Sequence, residues 1–209
     1  MHARNQKLER IVYSAILIAI SYLLSFLPIR IGPIEMTLCM LPTILAAILL
    51  GPVGGAVVGA SFGLFSFCQC FAGLGLPLSA FGAFIFASRP FATFLICVVS
   101  RVLMGLLTGF LFRAFSKTEE RTKGIIPYLV SNLSGALMNT VFFTGSVLLF
   151  FWRDASFIGK MQEWKMPTGN VWLFVAAFVG INGLVEALIC SVAGTTVSKT
   201  VHFAVRRMH

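Results

Sequence analysis

Long apolar runs, separated by short charged or glycine- and proline-containing links, leave this chain few possible folds. A helix needs about 20 apolar residues to cross a lipid bilayer. The sequence contains six apolar runs, at residues 11–28, 36–50, 53–71, 91–112, 125–151 and 171–198. The second is short for a full crossing and is expected to tilt or to begin at the interface. We therefore predict an all-α integral membrane bundle of six transmembrane helices, with residues 1–209 forming a single transmembrane domain.

The composition excludes most soluble classes of protein. Of the 209 residues, 58% are hydrophobic and 11% are charged, whereas a soluble domain carries roughly 25% charged residues. So few charges cannot cover a globular surface in water, which excludes an ordinary soluble enzyme, a disordered chain and a solvated coiled coil. The net charge is +9, but the basic residues lie in the gaps between apolar runs. This pattern favours membrane lipid as their partner and not nucleic acid.

The distribution of basic residues predicts the orientation in the membrane. If both termini lie on one side, that side carries ten Lys and Arg residues and the other carries five. Basic residues concentrate on the cytoplasmic side, so both termini are predicted to be cytoplasmic. The links at 72–90 and 152–170 then face outside. The first of them is apolar but interrupted by Pro77 and Pro90, and we predict that it forms an inserted external loop before the fourth helix.

Small residues at four-residue spacing predict surfaces on which helices pack closely. The clearest set begins just before the third span and comprises Gly51, Gly55, Gly59 and Gly63. On a helix this spacing leaves one face without side chains. Helices in lipid associate by close approach of their backbones, so we expect this face to contact another helix. Shorter pairs of the same kind are Ala15 with Ala19 and Gly105 with Gly109.

Polar residues deep inside the predicted spans are the candidates for a binding site. They are Arg101, Asn139, Asn182 and Glu186. A charge at the bilayer centre costs at least about 2.5 kcal/mol on insertion scales, so these side chains should face the bundle interior and have partners. Asn182 and Glu186 share one helix face through their four-residue spacing, and Asn132 and Asn139 share another.

Two compatible interpretations of these residues follow. In the first, Arg101 and Glu186 form an ion pair and the amides join neighbouring helices. In the second, the residues line a polar pocket in which Arg101 holds a substrate carboxylate, while the amides and Glu186 bind hydroxyl and amide groups. The hydroxyls of Thr140, Thr144 and Ser88 are further candidates for that pocket.

Catalysis and metal binding find no support in the sequence. The three histidines lie outside the predicted spans, and no HExxH or GxSxG motif and no zinc-like Cys/His spacing occurs. The stretch from Gly194 to Thr200 resembles a phosphate-binding loop, but Ser198 replaces its second glycine and an apolar helix precedes it. We therefore expect no enzyme activity, no ATP hydrolysis by this chain alone, no cofactor and no metal.

Several of these residues also resemble a known family. In the first half they are Ile31-Gly32-Pro33-Ile34, Leu41-Pro42, Leu50-Gly51-Pro52, Gly55, Gly59 and Phe62-Gly63-Leu64. In the second half they are Ser100-Arg101-Val102-Leu103-Met104-Gly105, Asn132 with Gly135, Asn139-Thr140, and Asn182 with Glu186. They span about residues 11–198. The chain resembles the substrate-binding S component of an energy-coupling factor (ECF) vitamin transporter, and is most similar to the pantothenate branch. Met40 and Arg89 depart from that branch's pattern.

The resemblance implies a transport role in the bacterial plasma membrane, as a multi-pass protein. An S component binds a vitamin near its external face, docks on a transmembrane coupling protein served by two ATPases, and topples to release the vitamin inside. Ala15 and Ala19 match the docking motif of its first helix. Pantothenate carries a carboxylate suited to Arg101, and hydroxyl and amide groups suited to the asparagines.

The sequence leaves several alternatives to pantothenate uptake open. They are an S component for another vitamin or precursor (folate, riboflavin, thiamine-related or queuosine-related), a stand-alone secondary transporter, a membrane enzyme and a purely structural membrane protein. The sequence shows none of the inverted repeats that would favour a secondary transporter.

Overall fold

The computed structural model describes residues 2–31, 34–36, 38–118 and 124–207, with the backbone alone for 2–6, 29–31, 34–36, 117–118, 181–182 and 206–207. Within this part the chain forms nine α-helices. They are α1 (His2–Leu24), α2 (Met40–Leu50), α3 (Pro52–Cys68), α4 (Ala80–Ser88), α5 (Pro90–Thr118), α6 (Ile126–Phe151), α7 (Ala155–Glu163), α8 (Val171–Ile189) and α9 (Thr195–Arg207). The helical class predicted from the apolar runs is therefore confirmed.

Two short strands are the exception to the all-α prediction. Strand β1 (Ile29–Ile31) pairs antiparallel with β2 (Ile34–Met36), with Arg30 opposite Glu35. The strands use residues expected to form a turn and the start of the second span, which explains why α2 begins only at Met40. The Gly32-Pro33 pair between them lies outside the described residues.

Four segments of the described chain are long and apolar enough to cross a membrane. They are Pro52–Phe71, Pro90–Ser116, Ile126–Phe151 and Gly183–Val205. Shorter apolar helices are Met40–Leu50 and Val171–Gly180. The apolar part of α1, from Ile11 to Leu24, is about 21 Å long at the helical rise of about 1.5 Å per residue. That is less than the roughly 30 Å of a bilayer core, so the count of six spans stays a prediction.

The glycines of α3 bring its backbone against that of α5. A Cβ atom at Gly63 would lie 2.6 Å from Cα of Val98, and Cβ atoms at Gly55 and Gly59 would collide with the carbonyl oxygens of Gly105 and Arg101. No side chain fits in this contact. The prediction of a tightly packed glycine face is therefore confirmed for Gly55, Gly59 and Gly63, and Gly105 belongs to the opposing surface on α5. Gly51 precedes α3 and adjoins the Arg113 side chain instead.

The links at 72–90 and 152–170 contain short helices that pack over one end of the bundle. Ser79 caps α4 by accepting a hydrogen bond from the Gly82 N–H at 3.2 Å, and Asp154 caps α7 by accepting from the Ser156 N–H at 3.0 Å. Both helices contribute to one apolar cluster, which comprises Phe81, Ile85, Ala92, Ile96, Val147, Phe151, Phe157, Met161, Phe174 and Phe178. The predicted loop before the fourth helix is thus partly helical.

The last predicted span is interrupted twice. Gly180 has φ 27° and ψ −128°, a conformation that divides α8 and that only glycine adopts without strain. A π-helical turn at Cys190–Gly194 then joins α8 to α9. Such turns insert an extra residue into a helix and occur often near functional sites.

Candidate functional site

A cavity of about 880 Å³, measured to include its open mouth, lies between α3, α4, α5, α6 and α8. Its larger apolar side chains are Phe62, Phe81, Ile85, Phe143, Phe178 and Val179. Its polar and thiol side chains are Ser66, Gln69, Cys70, Ser79, Cys97, Arg101, Asn139, Thr140, Thr144 and Glu186. Apolar walls with a few convergent polar groups are typical of a binding site for a small molecule.

Arg101 is the buried cation of this cavity, with 7% of its surface exposed. Its Nη1 donates a hydrogen bond to the Ile96 carbonyl oxygen at 3.0 Å. Its guanidinium carbon lies 5.3 Å from the ring centre of Phe62 and 4.7 Å from that of Phe143. Its Nε has no hydrogen-bond partner in the described part of the chain. A buried charge of this kind is costly unless it is paired, so Arg101 is suited to an anionic ligand.

Asn139 and Glu186 lie on the wall of the same cavity. The Oδ1 atom of Asn139 is buried and accepts no hydrogen bond from any described residue. The cavity therefore presents a donor at Arg101 and an acceptor at Asn139, and a ligand that satisfies both needs an acceptor and a donor of its own.

The proposed ion pair between Arg101 and Glu186 is wrong for this structure. Both side chains are described, and no nitrogen–oxygen distance of 4.0 Å or less joins them, whereas Arg89 and Asp154 do form such a pair. Arg101 is buried and Glu186 is half-buried, and the two side chains occupy separate positions on one cavity wall. Both therefore line the space that a ligand would occupy.

The cavity gathers most of the residues predicted from the sequence, and the rest lie elsewhere. On its wall are Arg101, Asn139, Thr140, Thr144 and Glu186. Asn182 belongs to α8 between the lining residues Val179 and Gly183, and its side chain lies outside the described part of the structure.

Asn132 and Ser88 are placed away from the cavity wall. Asn132 is fully buried, and its Nδ2 donates to the Tyr128 carbonyl oxygen at 2.9 Å and to Oγ of Ser198 at 3.3 Å. These contacts join α6 to its own preceding turn and to α9. Ser88 is exposed at the end of α4 and donates to the Phe84 carbonyl oxygen at 3.2 Å.

The sequence prediction missed the polar residues at the end of α3 and in the link to α4. Ser66, Gln69 and Ser79 line the cavity, and Nε2 of Gln69 donates to the Ser25 carbonyl oxygen at 2.9 Å, which ties this wall to the end of α1. For Gln69 the sequence offered one indication of a site residue, a lone amide at the end of an apolar run. For Ser79 it offered no such indication, because only the fold brings the link beside α5 and α6.

Arg89 connects the two links at the end of the bundle where α4 and α7 lie. Its Nη2 pairs with Oδ2 of Asp154 at 3.2 Å, its Nη1 donates to the Phe150 carbonyl oxygen at 2.9 Å, and its guanidinium carbon lies 5.7 Å from the Phe151 ring centre. A hydrogen bond from Ser156, with a smaller contribution from Arg89, lowers the pKa of Asp154. The carboxylate is therefore charged at neutral pH.

The predicted docking residues lie on the outside of the molecule. Ala15 and Ala19 are exposed on α1, while Leu17 and Ser21 of the same helix are buried. The small-residue face thus points away from the bundle and is accessible to another helix.

Residues 9–197 match the family described as ECF transporter, substrate-specific component. No curated protein matches the sequence closely enough to count as a relative. Among solved structures the chain is similar to ThiT from Listeria monocytogenes, with a TM-score of 0.63 and 18% sequence identity over 93% of this chain and 96% of that chain. At this identity the similarity concerns the fold alone.

Proposed function

Because the chain belongs to the substrate-specific components of ECF transporters, we propose that its cavity captures a water-soluble vitamin at the external face of the cell membrane. Members of this family are transport subunits and not enzymes. We further propose that the loaded protein docks on a transmembrane coupling protein, served by two ATPases, and delivers the vitamin to the cytoplasm. The exposed Ala15 and Ala19 face supports such docking.

Pantothenate is the ligand that we propose, and the buried Arg101 is the observation that carries this choice. Its Nε has no partner in the described chain, and a carboxylate forms charge-assisted, two-pronged hydrogen bonds with a guanidinium. The hydroxyl and amide groups of pantothenate can donate to Oδ1 of Asn139 and exchange hydrogen bonds with Thr140. Glu186 and Asn182 are proposed to complete the polar part of the site.

Calorimetric titration of the purified protein with pantothenate tests this assignment. We expect Arg101→Gln to weaken binding by about 10- to 100-fold, since hydrogen bonds to charged groups contribute about 1.5–3 kcal/mol. Arg113→Gln is the matched control, because Arg113 is an exposed arginine of the same helix outside the cavity wall. Undiminished binding by the Arg101 variant would contradict the role of this residue.

A thiamine-related ligand is the second candidate. Thiamine carries a cationic ring, and the cavity offers a carboxylate at Glu186 together with four phenylalanine rings, which favour cations. In the same titration, binding of thiamine but not pantothenate, lost on Glu186→Gln and kept on Arg101→Gln, would establish this alternative. Mass spectrometry of small molecules that co-purify with the protein would detect folate, riboflavin or a queuosine precursor instead.

A further inference from the structure

The guanidinium of Arg101 lies over two aromatic rings that belong to different helices. Its carbon is 5.3 Å from the ring centre of Phe62 on α3 and 4.7 Å from that of Phe143 on α6. Aromatic faces attract cations within about 6 Å, most strongly where water is excluded. The two rings therefore stabilise this buried charge, in addition to the electrostatic attraction of Glu186.

Phe143 is itself fixed in place by the fold. It lies one helical turn beyond Asn139 on α6, and both residues line the cavity. On its other side it contacts the Phe81 ring of α4 edge to face, with 6.2 Å between ring centres. The ring is therefore supported by the helix that packs over the cavity, and it sets where the guanidinium lies relative to Asn139.

We propose that Phe143 is a positioning residue for Arg101 and thereby determines the preference of the cavity for anions. This inference rests on the proposed function, in which Arg101 binds the ligand's carboxylate. Glu186 lies on the same wall, so a guanidinium released from the ring has an internal counter-charge toward which it can turn. The ring keeps the positive charge available to the ligand, although it forms no hydrogen bond with the ligand.

Binding selectivity separates this role from simple contact with the ligand. The probes are pantothenate and its neutral alcohol, in which a hydroxymethyl group replaces the carboxylate. We expect Phe143→Leu to weaken binding of pantothenate about tenfold and to leave binding of the alcohol nearly unchanged. Phe143→Tyr keeps the ring and should therefore bind pantothenate as the wild type does. Phe178→Leu is the matched control: Phe178 lines the cavity without a ring contact to Arg101 and should affect both probes equally. Equal weakening of both probes by Phe143→Leu would overturn the proposal.

A spectroscopic measurement tests the positioning without any ligand. In a ¹⁵N–¹H spectrum of the arginine Nε–H groups in detergent, the Arg101 signal is assigned by its loss in Arg101→Lys. Ring currents should displace this signal in wild type, in Phe143→Tyr and in Phe178→Leu, and the displacement should decrease in Phe143→Leu. An unchanged signal in a folded Phe143→Leu protein would overturn the proposal. If wild type binds neither probe, the proposed ligand is wrong, and this spectrum alone decides the role of Phe143.

Discussion

The positions of single side chains in this protein depend on the close contacts that the fold creates around them. Arg101 has its carbonyl oxygen against Gly59 of α3 and its guanidinium within about 6 Å of the ring centres of Phe62 and Phe143. The backbone contact fixes where α5 runs, and the rings fix where the charge lies. The position of this cation, which we propose binds the ligand, therefore depends on a glycine that does not line the cavity.

Replacement of Gly59 should destabilise the protein. A Cβ atom there collides with the Arg101 carbonyl oxygen, and such overpacking costs about 1–3 kcal/mol. We expect Gly59→Ala to lower the midpoint of thermal unfolding in detergent and to weaken ligand binding. In the control Gly145→Ala, the added methyl group meets no atom within 4 Å, so the midpoint should stay the same or rise. Equal midpoints for Gly59→Ala and wild type would contradict the tight helix contact.

The contribution of the Arg89–Asp154 ion pair to stability should depend on pH only in acid. The hydrogen bond from Ser156 and the nearby Arg89 lower the pKa of Asp154, so folding favours the charged carboxylate. Its stabilising effect is then complete above the unfolded-state pKa of about 3.9 and is lost as the pH falls through the lowered value. The difference in unfolding midpoint between wild type and Asp154→Asn should be equal at pH 7 and pH 5 and should shrink toward pH 3. A difference that already shrinks between pH 7 and pH 5 would contradict the lowered pKa.

At the scale of elements, the short helices α4 and α7 organise the end of the bundle above the cavity. Their apolar faces share one cluster with α5, α6 and α8, and Arg89 joins the residues that flank them. The stretch at 72–90 was predicted to form a loop because it is rich in Gly, Phe and Ser and is interrupted by Pro77 and Pro90. Ser79 is of a residue type that often caps a helix, and it was the feature of this stretch that indicated α4.

The exposed alanine face of α1 should be required for transport but not for ligand binding. We expect Ala15→Leu with Ala19→Leu to abolish uptake into vesicles that contain the coupling protein and its ATPases, since bulky side chains prevent close helix contact. Ligand affinity should change less than twofold, because α1 does not line the cavity. Ala177→Leu, at an exposed alanine of α8, should leave uptake unchanged. Uptake into vesicles that contain this chain alone would indicate a secondary transporter instead.

At the scale of the whole molecule, much of the architecture follows from hydropathy. Apolar runs predicted the ends of α3 and α6 to within three residues and the start of α5 to within one, because burying apolar side chains in lipid needs long uninterrupted helices. Helix α5 continues six residues beyond its predicted end, to Thr118. The run at 171–198 was less well predicted, since Gly180 and the π-helical turn divide it without changing its hydropathy. The β-hairpin before α2 was missed because three-residue strands leave no detectable alternation.

The sequence alone indicated the membrane class, the glycine face and the identity of the buried charges, since each depends on local residue type and spacing. Which polar residues meet in one cavity depended on the packing of the helices. Asn132 and Asn139 share a face of α6 but lie about 10.5 Å apart along its axis, and only Asn139 lines the cavity. Helical periodicity determines the direction of a side chain around its own axis. How far a cavity extends along that axis is set by the neighbouring helices and by the links that close its end.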